Sequence, residues 1–419
     1  MERRQIAVVG SGVAGLTAAH VLQRACDVTL YEADDRVGGH AHTHELTQGP
    51  GKVVRVDSGF IVHNERTYPL LLRLFRELGV STQDAEMSMS VRCDGCGLQY
   101  AGARGPAGLF AQPSSVVRGR YLRMLAQVPA FHRAARAALV SDREGESTLG
   151  EFLAEGGFTP YFVHHFVTPL VSAVWSCGPE IAMRYPATYL FRFLEHHGML
   201  SVRGAPKWRT VTGGSVEYVS RVVKQLTAVH TATEVREVRR DAGRARVVTG
   251  DGERAYDSVV IAVHPDQALR LLADPTPDEA RVLGAFRYSR NHTVLHTDAT
   301  VLPTARRARA SWNYRMPSCR TTADKVQVSY DMSRLQRLEG PRPYIVSLNA
   351  EGRIDDAQVL DRMTYEHPAY TRESVAAQRQ MPRLNTPVTV YAGAYHGWGF
   401  HEDGCRSGVR AAAALGVPW

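Results

Sequence analysis

Gly10, Gly12 and Gly15 stand in the spacing G-x-G-x-x-G, and an acid, Glu32, closes the next apolar run. Residues of these types in this order bind a dinucleotide. Gly10 allows a tight turn, Gly12 lets a pyrophosphate approach bare backbone, and Gly15 lets a helix pack closely on the preceding strand. Glu32 is placed to accept hydrogen bonds from ribose hydroxyls, with Ala33 beside it. The elements that must position these residues are legible around them. Residues 6–9 are a short β-branched run that reads as a buried parallel strand, LTAAHVLQRA carries helical spacing, and CDVTLY (26–31) reads as a second strand. The helix opens at Val13 and Ala14, and its N-terminus offers free N–H groups and a positive dipole end to phosphates. Taken alone, the fingerprint does not separate one dinucleotide from another.

The continuation EADDRVGGHAHT supplies Arg36-x-Gly38-Gly39, then His40 and Thr43. Adjacent glycines let the backbone run close to a second portion of an extended ligand, and an arginine there brings charge to a pyrophosphate. This segment resembles the extended fingerprint of the flavin amine oxidase and phytoene desaturase-like FAD superfamily, a resemblance that covers essentially the whole chain. It implies FAD stretched along one domain. In VVRVDSGFIVHNERTYP (53–69), the strand-then-Asp-x-Gly form at Asp57 implies that Gly59, Phe60 and Ile61 lie near the isoalloxazine. Val235 matches the position that contacts adenine through its backbone. The stretch PVTVYAGAYHGWGFHEDGCRSGVRAAAAL (387–415) carries the last expected cofactor contacts, at Gly393, Glu402, Asp403 and Gly404, and a helix whose N-terminus points at the flavin. The first-turn carboxylates also suit plain helix capping. No second G-x-G-x-x-G occurs, so a built-in NAD(P)H site is not expected.

The implied fold class is α/β: a Rossmann-like FAD-binding domain, parallel sheet plus β-meander, with a discontinuous α+β substrate domain. The FAD-binding domain is expected over 1–75, 205–265 and 385–419, and the substrate domain over 76–204 and 266–384. GFHEDG, NERTYP and the W-S of AVWS resemble, more narrowly, a bacterial subgroup of FAD-binding oxidoreductases related to the N-terminal domain of plant cyclopropane fatty acid synthases. That implies a lipid-linked role and a lipid methyltransferase as a partner.

Composition bounds the alternatives. The chain has 419 residues, 44% hydrophobic and 22% charged, with a net charge of +8 that favours anionic cofactors, acidic substrates or an anionic lipid surface. No compact basic block interleaved with aromatics occurs, which argues against nucleic acid. No apolar run approaches the ~20 residues of a membrane span, although peripheral membrane contact stays open. Arg3-Arg4 is not an export signal, because the glycine fingerprint interrupts the apolar region; the pair reads as a surface ornament and the location as cytoplasmic. The six cysteines are mostly scattered, and CDGC (93–96) is a lone C-x-x-C with no second pair, so no metal is expected.

In the substrate half, TLGEFLAEGGFTPYFVHHFVTPLVSAVWSCGP reads as helices, while HTVLHTD, KVQVSYDM and PYIVSLNA read as strands. Segment 101–120, rich in Gly, Pro, Ser and Arg, reads as a loop or flap, and 229–263 as a β-meander ending in a buried strand. Tyr189, Phe191, Phe193 and Leu194 read as core, or as the lining of an acyl-chain pocket. The adjacent pairs His164–His165 and His196–His197 read as packing or surface histidines. Tyr395, His396, Trp398 and Phe400 are the pocket candidates; Cys405, His396 and His401 are the positions for any covalent flavin link. The favoured activity is hydride transfer from an apolar, fatty-acyl or lipid substrate to flavin N5. The alternatives are an amine oxidase releasing hydrogen peroxide and a non-catalytic flavoprotein. The only lysines, Lys52, Lys207, Lys224 and Lys325, stand in no context that matches the flavin-side lysine of amine oxidases.

Overall fold

The computed structural model describes residues 3–141, 147–201, 204–241, 243–320 and 325–419. Five parallel strands form one sheet in the order Ala228–His230, Asp27–Tyr31, Gln5–Val9, Ser258–Ile261, Thr389–Tyr391. Its central strand is apolar on both faces, as a doubly covered strand must be. Ile6 and Val8 pack into the core shared with the helix Val13–Leu22, while Ala7 and Val9 face the core shared with the three-stranded meander of residues 237–256. The meander is shorter than its sequence pattern: Ala228–His230 joins the parallel sheet instead, where His230 stacks on Tyr31 with ring centroids 5.2 Å apart. Ala242, in the DAGR turn, lies outside the described residues.

The second sheet has seven strands, in the order Val359–Ala369, Arg287–His296, Ile345–Leu348, Val328–Asp331, Trp312–Met316, Met89–Cys93, Gln99–Ala101. It packs with the helices of residues 119–196 around a core that includes Phe131, Phe162, Phe191 and Phe193. The helix Pro69–Leu78 runs across residues 75 and 76, and both Phe75 and Leu78 belong to the core beneath the parallel sheet. Segment 101–120 is not a flap. It folds into short helical turns at Gly102–Arg104, Gly105–Leu109 and Pro113–Val117, the last two with proline in the first turn, where a missing N–H costs nothing.

The twin arginine also has a structural task. Arg3 Nε lies 2.9 Å from Asp27, and Arg4 donates to the Leu415 carbonyl at 2.7 Å, at the end of the helix His401–Ala414. Among the described residues no helix is long and apolar enough to cross a membrane.

Candidate functional site

The first glycine turn is closed on two sides and open on the third. Gly10 has φ of +97°, and a Cβ there would lie 2.7 Å from the Ala262 carbonyl oxygen. A Cβ on Gly15 would lie 2.0 Å from the Gly10 oxygen, which seats the helix against the turn. The same test at Gly12 meets nothing within 4 Å. Gly12 is the N-cap of Val13–Leu22 and carries no side-chain cap, so the first N–H groups and the positive dipole end face open space. That is the setting for a diphosphate.

Nothing in the spacing marks Ser11, yet it ties the parts together. Its N–H donates to Glu32 Oε2 at 2.9 Å, its hydroxyl donates to the same oxygen, and it accepts from the Gly38 N–H at 2.9 Å. The second glycine pair rests on the first turn, since a Cβ on Gly39 would lie 3.1 Å from Gly12 Cα. Asp34 N–H holds the other Glu32 oxygen at 3.1 Å, while Ala33 is exposed. Thr233 donates its N–H to the Glu32 carbonyl at 2.8 Å, and the chain then runs on to the buried Val235. Arg36, two residues before Gly38, keeps Nη1 buried with no protein partner. Open helix N–H groups, a bare glycine surface and an unpartnered guanidinium fit the pyrophosphate of FAD.

At the far end, residues 58–60 run against residues 40–42. Ser58 N–H donates to the His42 carbonyl at 2.9 Å and Phe60 N–H to the His40 carbonyl at 2.6 Å; a Cβ on Gly59 would lie 2.2 Å from the His40 oxygen. The Phe60 ring stacks on His401 with centroids 3.5 Å apart, joining this loop to the C-terminal helix. Ile61 is buried in the substrate-side core. The buried Asp57 acts as a clamp: it accepts from the hydroxyls of Thr43 and Ser215 at 2.5 and 2.8 Å and from Gln336 Nε2 at 3.0 Å.

The helix His401–Ala414 lies along Val13–Leu22. A Cβ on Gly404 would come within 2.5 Å of Val13 Cγ1, and one on Gly408 within 2.4 Å of the Ala14 oxygen. Contacts in matching order make the two helices parallel, so both positive ends point the same way. Val13 and Ala14 are thereby buried between helices, and Cys405 is fully buried in the same core.

Glu402 and Asp403, expected among the cofactor contacts, direct their carboxylates to backbone N–H groups. Glu402 accepts from Leu70 and Leu71 N–H at 3.2 and 3.0 Å, at the start of Pro69–Leu78. Asp403 accepts from Trp398 and Phe400 N–H at 3.0 and 3.2 Å, and burial raises its pKa to about 6. Unpaired helix N–H groups are the nearest strong donors, and capping wins. Gly393 donates its N–H to the Ser407 hydroxyl at 2.8 Å, anchoring the loop between strand and helix.

The four pocket candidates divide. Tyr395 turns into the meander-side core against Phe286, centroids 5.2 Å apart, with its buried hydroxyl unpartnered. His396 keeps Nε2 buried and unpartnered, and burial pushes its pKa down to about 4. Trp398 and Phe400 face the substrate side. Phe400 stacks on Phe193 at 4.7 Å, Trp398 lies 5.7 Å from Phe193, and the Trp175 indole donates to the Trp398 carbonyl at 3.1 Å. Tyr189 OH and Gln378 Nε2 both donate to the Gly397 carbonyl, at 2.8 and 2.6 Å.

Around this loop the imidazoles are uncharged. Burial pushes His42 and His401 down to about 3, and His63 and His367 to about 4; His40 is lowered well below the ordinary value, by burial first and then by neighbouring histidines and Arg36. All four lysines are exposed. The side chains packed around this loop are therefore aromatic rings and neutral imidazoles, with Asp57, Glu402 and Asp403 already bonded. Two residues the sequence reading set apart also converge elsewhere: His165 and Cys319 lie against CDGC, so that motif does not stand alone.

A sequence model of the family described as flavin containing amine oxidoreductase matches residues 13–326. Mycobacterium tuberculosis AofH, whose name assigns it provisionally to the flavin-containing monoamine oxidases, is 27% identical over 284 residues; the match spans 64% of this chain and 59% of AofH. The chain thus covers less than two thirds of that relative's length. The carotenoid phi-ring synthase of Streptomyces griseus is 26% identical over 392 residues, 88% of this chain and 67% of the synthase. Among solved structures, the CLA-producing fatty acid isomerase from P. acnes shares the fold with a TM-score of 0.70 at 17% identity, covering 97% of each chain. With that match over three quarters of its length and a cradle that fits FAD, the chain belongs to the flavin containing amine oxidoreductase family.

Proposed function

We propose that the protein is an FAD-dependent oxidoreductase acting on an apolar substrate, a fatty-acyl or lipid group. When bound, flavin accepts or returns a hydride at N5, which suits desaturation, oxidation or isomerisation. The residues around the glycine turns, Ser11 with Glu32, and Arg36 would hold the dinucleotide, and Phe60 and His401 would stand at its ring end. The chain's own contribution is orientation and exclusion of water. Trp175, Phe193, Trp398 and Phe400 present an aromatic wall, and the neutral histidines add no charge to it.

The observation that carries this reading is the combination of that wall with exposed lysines and fully bonded carboxylates. A site of this kind offers no fixed charge to an ionic substrate and apolar rings to a hydrocarbon. Its kinship with proteins named for a carotenoid ring and a fatty acid supports it. The stretch Val116, Val117 and Leu122 is exposed and flanked by Arg118, Arg120 and Arg123, which supports transient contact with an anionic lipid surface.

The test is anaerobic mixing of the flavin-loaded protein with a panel of acyl phospholipids, free fatty acids and primary amines. Bleaching of the flavin by an acyl lipid, slowed by Trp398→Ala, is the expected result. Bleaching by amines alone, with hydrogen peroxide formed on admitting air, would favour the second reading, amine oxidation, which the family description and AofH support. Flavin that no lipid or amine reduces, in a protein that co-purifies with a lipid methyltransferase, would leave a non-catalytic partner role.

A further inference from the structure

Cys93, Cys96, His165 and Cys319 come from three separate segments and meet at one point, with all four ligand atoms within 4.8 Å of one another. We propose that they form a structural zinc site of the Cys3His type. The Cys93 and Cys319 sulfurs are 3.7 Å apart, and Cys96 Sγ lies 3.6 Å from His165 Nε2. Tetrahedral zinc with bonds of about 2.3 Å to sulfur and about 2.0 Å to nitrogen has S–S edges of about 3.8 Å and S–N edges of about 3.5 Å. Those two edges already have that length, and the other four lie within 4.8 Å. A disulfide would need the two sulfurs about 2 Å apart, and all six cysteines are free.

The backbone is arranged for the same purpose. Cys93 ends the strand Met89–Cys93, and the chain folds back so that Cys93 N–H donates to the Leu98 carbonyl at 2.9 Å. Asp94 N–H donates to the Met316 carbonyl at 2.8 Å, pinning the turn to the parallel neighbour Trp312–Met316. That neighbour delivers Cys319. The approach requires Gly95, where a Cβ would lie 2.9 Å from Cys319 N and 3.0 Å from Ser318 Cα.

His165 arrives from the other side. It sits in a single π-helical turn, Val163–Val167, a local irregularity that often marks a functional position. Its Nδ1 lies 3.1 Å from the Tyr161 carbonyl, which fixes the proton there and leaves Nε2 to face Cys96. Tyr100 OH donates to the His165 carbonyl at 2.7 Å, holding that turn. Three thiolates and a neutral imidazole around a divalent ion carry one net negative charge. The adjoining cavity, of about 330 Å³, is lined by Arg120, Arg123 and Arg320, which balance it. With all four positions taken by protein, the ion is closed to substrate and serves to tie helices to sheet.

Metal content of the wild-type flavoprotein, purified without chelator from zinc-replete medium, tests this directly, with bound flavin as the per-chain standard. About one zinc per flavin is expected, falling at least about tenfold in Cys93→Ser and Cys319→Ser. Should those variants not fold, wild-type protein from cobalt-supplemented cells is read instead. It should show the thiolate charge-transfer and visible bands of tetrahedral cobalt. Wild-type protein with full flavin but no zinc, or no such cobalt spectrum, overturns the proposal. So does an intact mass two hydrogens low with a disulfide mapped to Cys93–Cys319. None of these readouts depends on which substrate the enzyme takes.

Discussion

The half of the molecule built on the parallel sheet and the half built on the seven-stranded sheet position their side chains by different means. Around the first, backbone touches backbone: the test atoms at Gly10, Gly15 and Gly408 fall 2.7, 2.0 and 2.4 Å from a carbonyl oxygen. Around the second, side chains fill space, with Phe131 touching the rings of Phe152, Phe158, Phe162, Phe166 and Phe191. Backbone contact leaves no slack, whereas ring packing yields by degrees. The same sequence therefore contains one region that tolerates almost no added atom and one that responds in proportion to what is removed.

The sharpest way to break that contrast is Gly15→Ala. One methyl against the Gly10 carbonyl should lower the flavin retained through purification by more than about tenfold, read as flavin absorbance per protein. Gly12→Ala is its control: with nothing within 4 Å, the apo protein should keep its melting temperature while flavin affinity falls. Equal melting losses in both variants would erase the distinction. Next comes Phe131→Ala, expected to cost about 3–5 kcal/mol of stability by denaturant titration while flavin stoichiometry stays near the wild type.

A pH titration tests the charge state of the two halves together. His42, His63, His197, His296, His367, His396 and His401 are all held at about 3 to 4 by burial. Their folded pKa values lie below the ordinary value of about 6.5, so between the two only the unfolded chain takes up protons. Stability should then be full above about pH 6.5 and fall as pH drops toward 4. Asp57 and Asp403, raised to about 6, work in the opposite sense over about pH 6 to 4, but they are two against seven. A denaturation midpoint that does not fall between pH 7.5 and 5 would contradict the buried, neutral assignment. The smallest expected change is Val117→Asp, which should leave stability within about 0.5 kcal/mol and reduce sedimentation with anionic vesicles.

How much of this was legible depends on sequence distance. The glycine turn, its helix and Glu32 belong to one continuous local unit, and every part of it reads from spacing and apolar pattern. The alternation of strands and helices was similarly open to view. Ser11 was not, because a hydroxyl between two glycines looks like filler until Glu32 and Gly38 converge on it. Asp57 and Ser215 stand 158 residues apart, and only the fold joins them. The same holds for CDGC: the motif reads as a lone pair because Cys319 stands 226 residues from Cys93. Glu402 and Asp403 were ambiguous for a different reason. A carboxylate at a helix start satisfies both a capping rule and a cofactor rule, and only the donors at Leu70, Leu71, Trp398 and Phe400 decide between them.

The close seating of Gly404 and Gly408 on the first helix also has a consequence for biosynthesis. A ribosome produces Gly12 early and Gly404 nearly four hundred residues later. At typical synthesis rates that interval is on the order of tens of seconds. Throughout it the nucleotide cradle exists without the helix that flanks it and without Thr389–Tyr391 at the sheet edge. Cofactor capture therefore waits until Gly404 and Gly408 have been made and the helix that carries them has seated. Cells short of flavin should accumulate a protease-sensitive apoprotein.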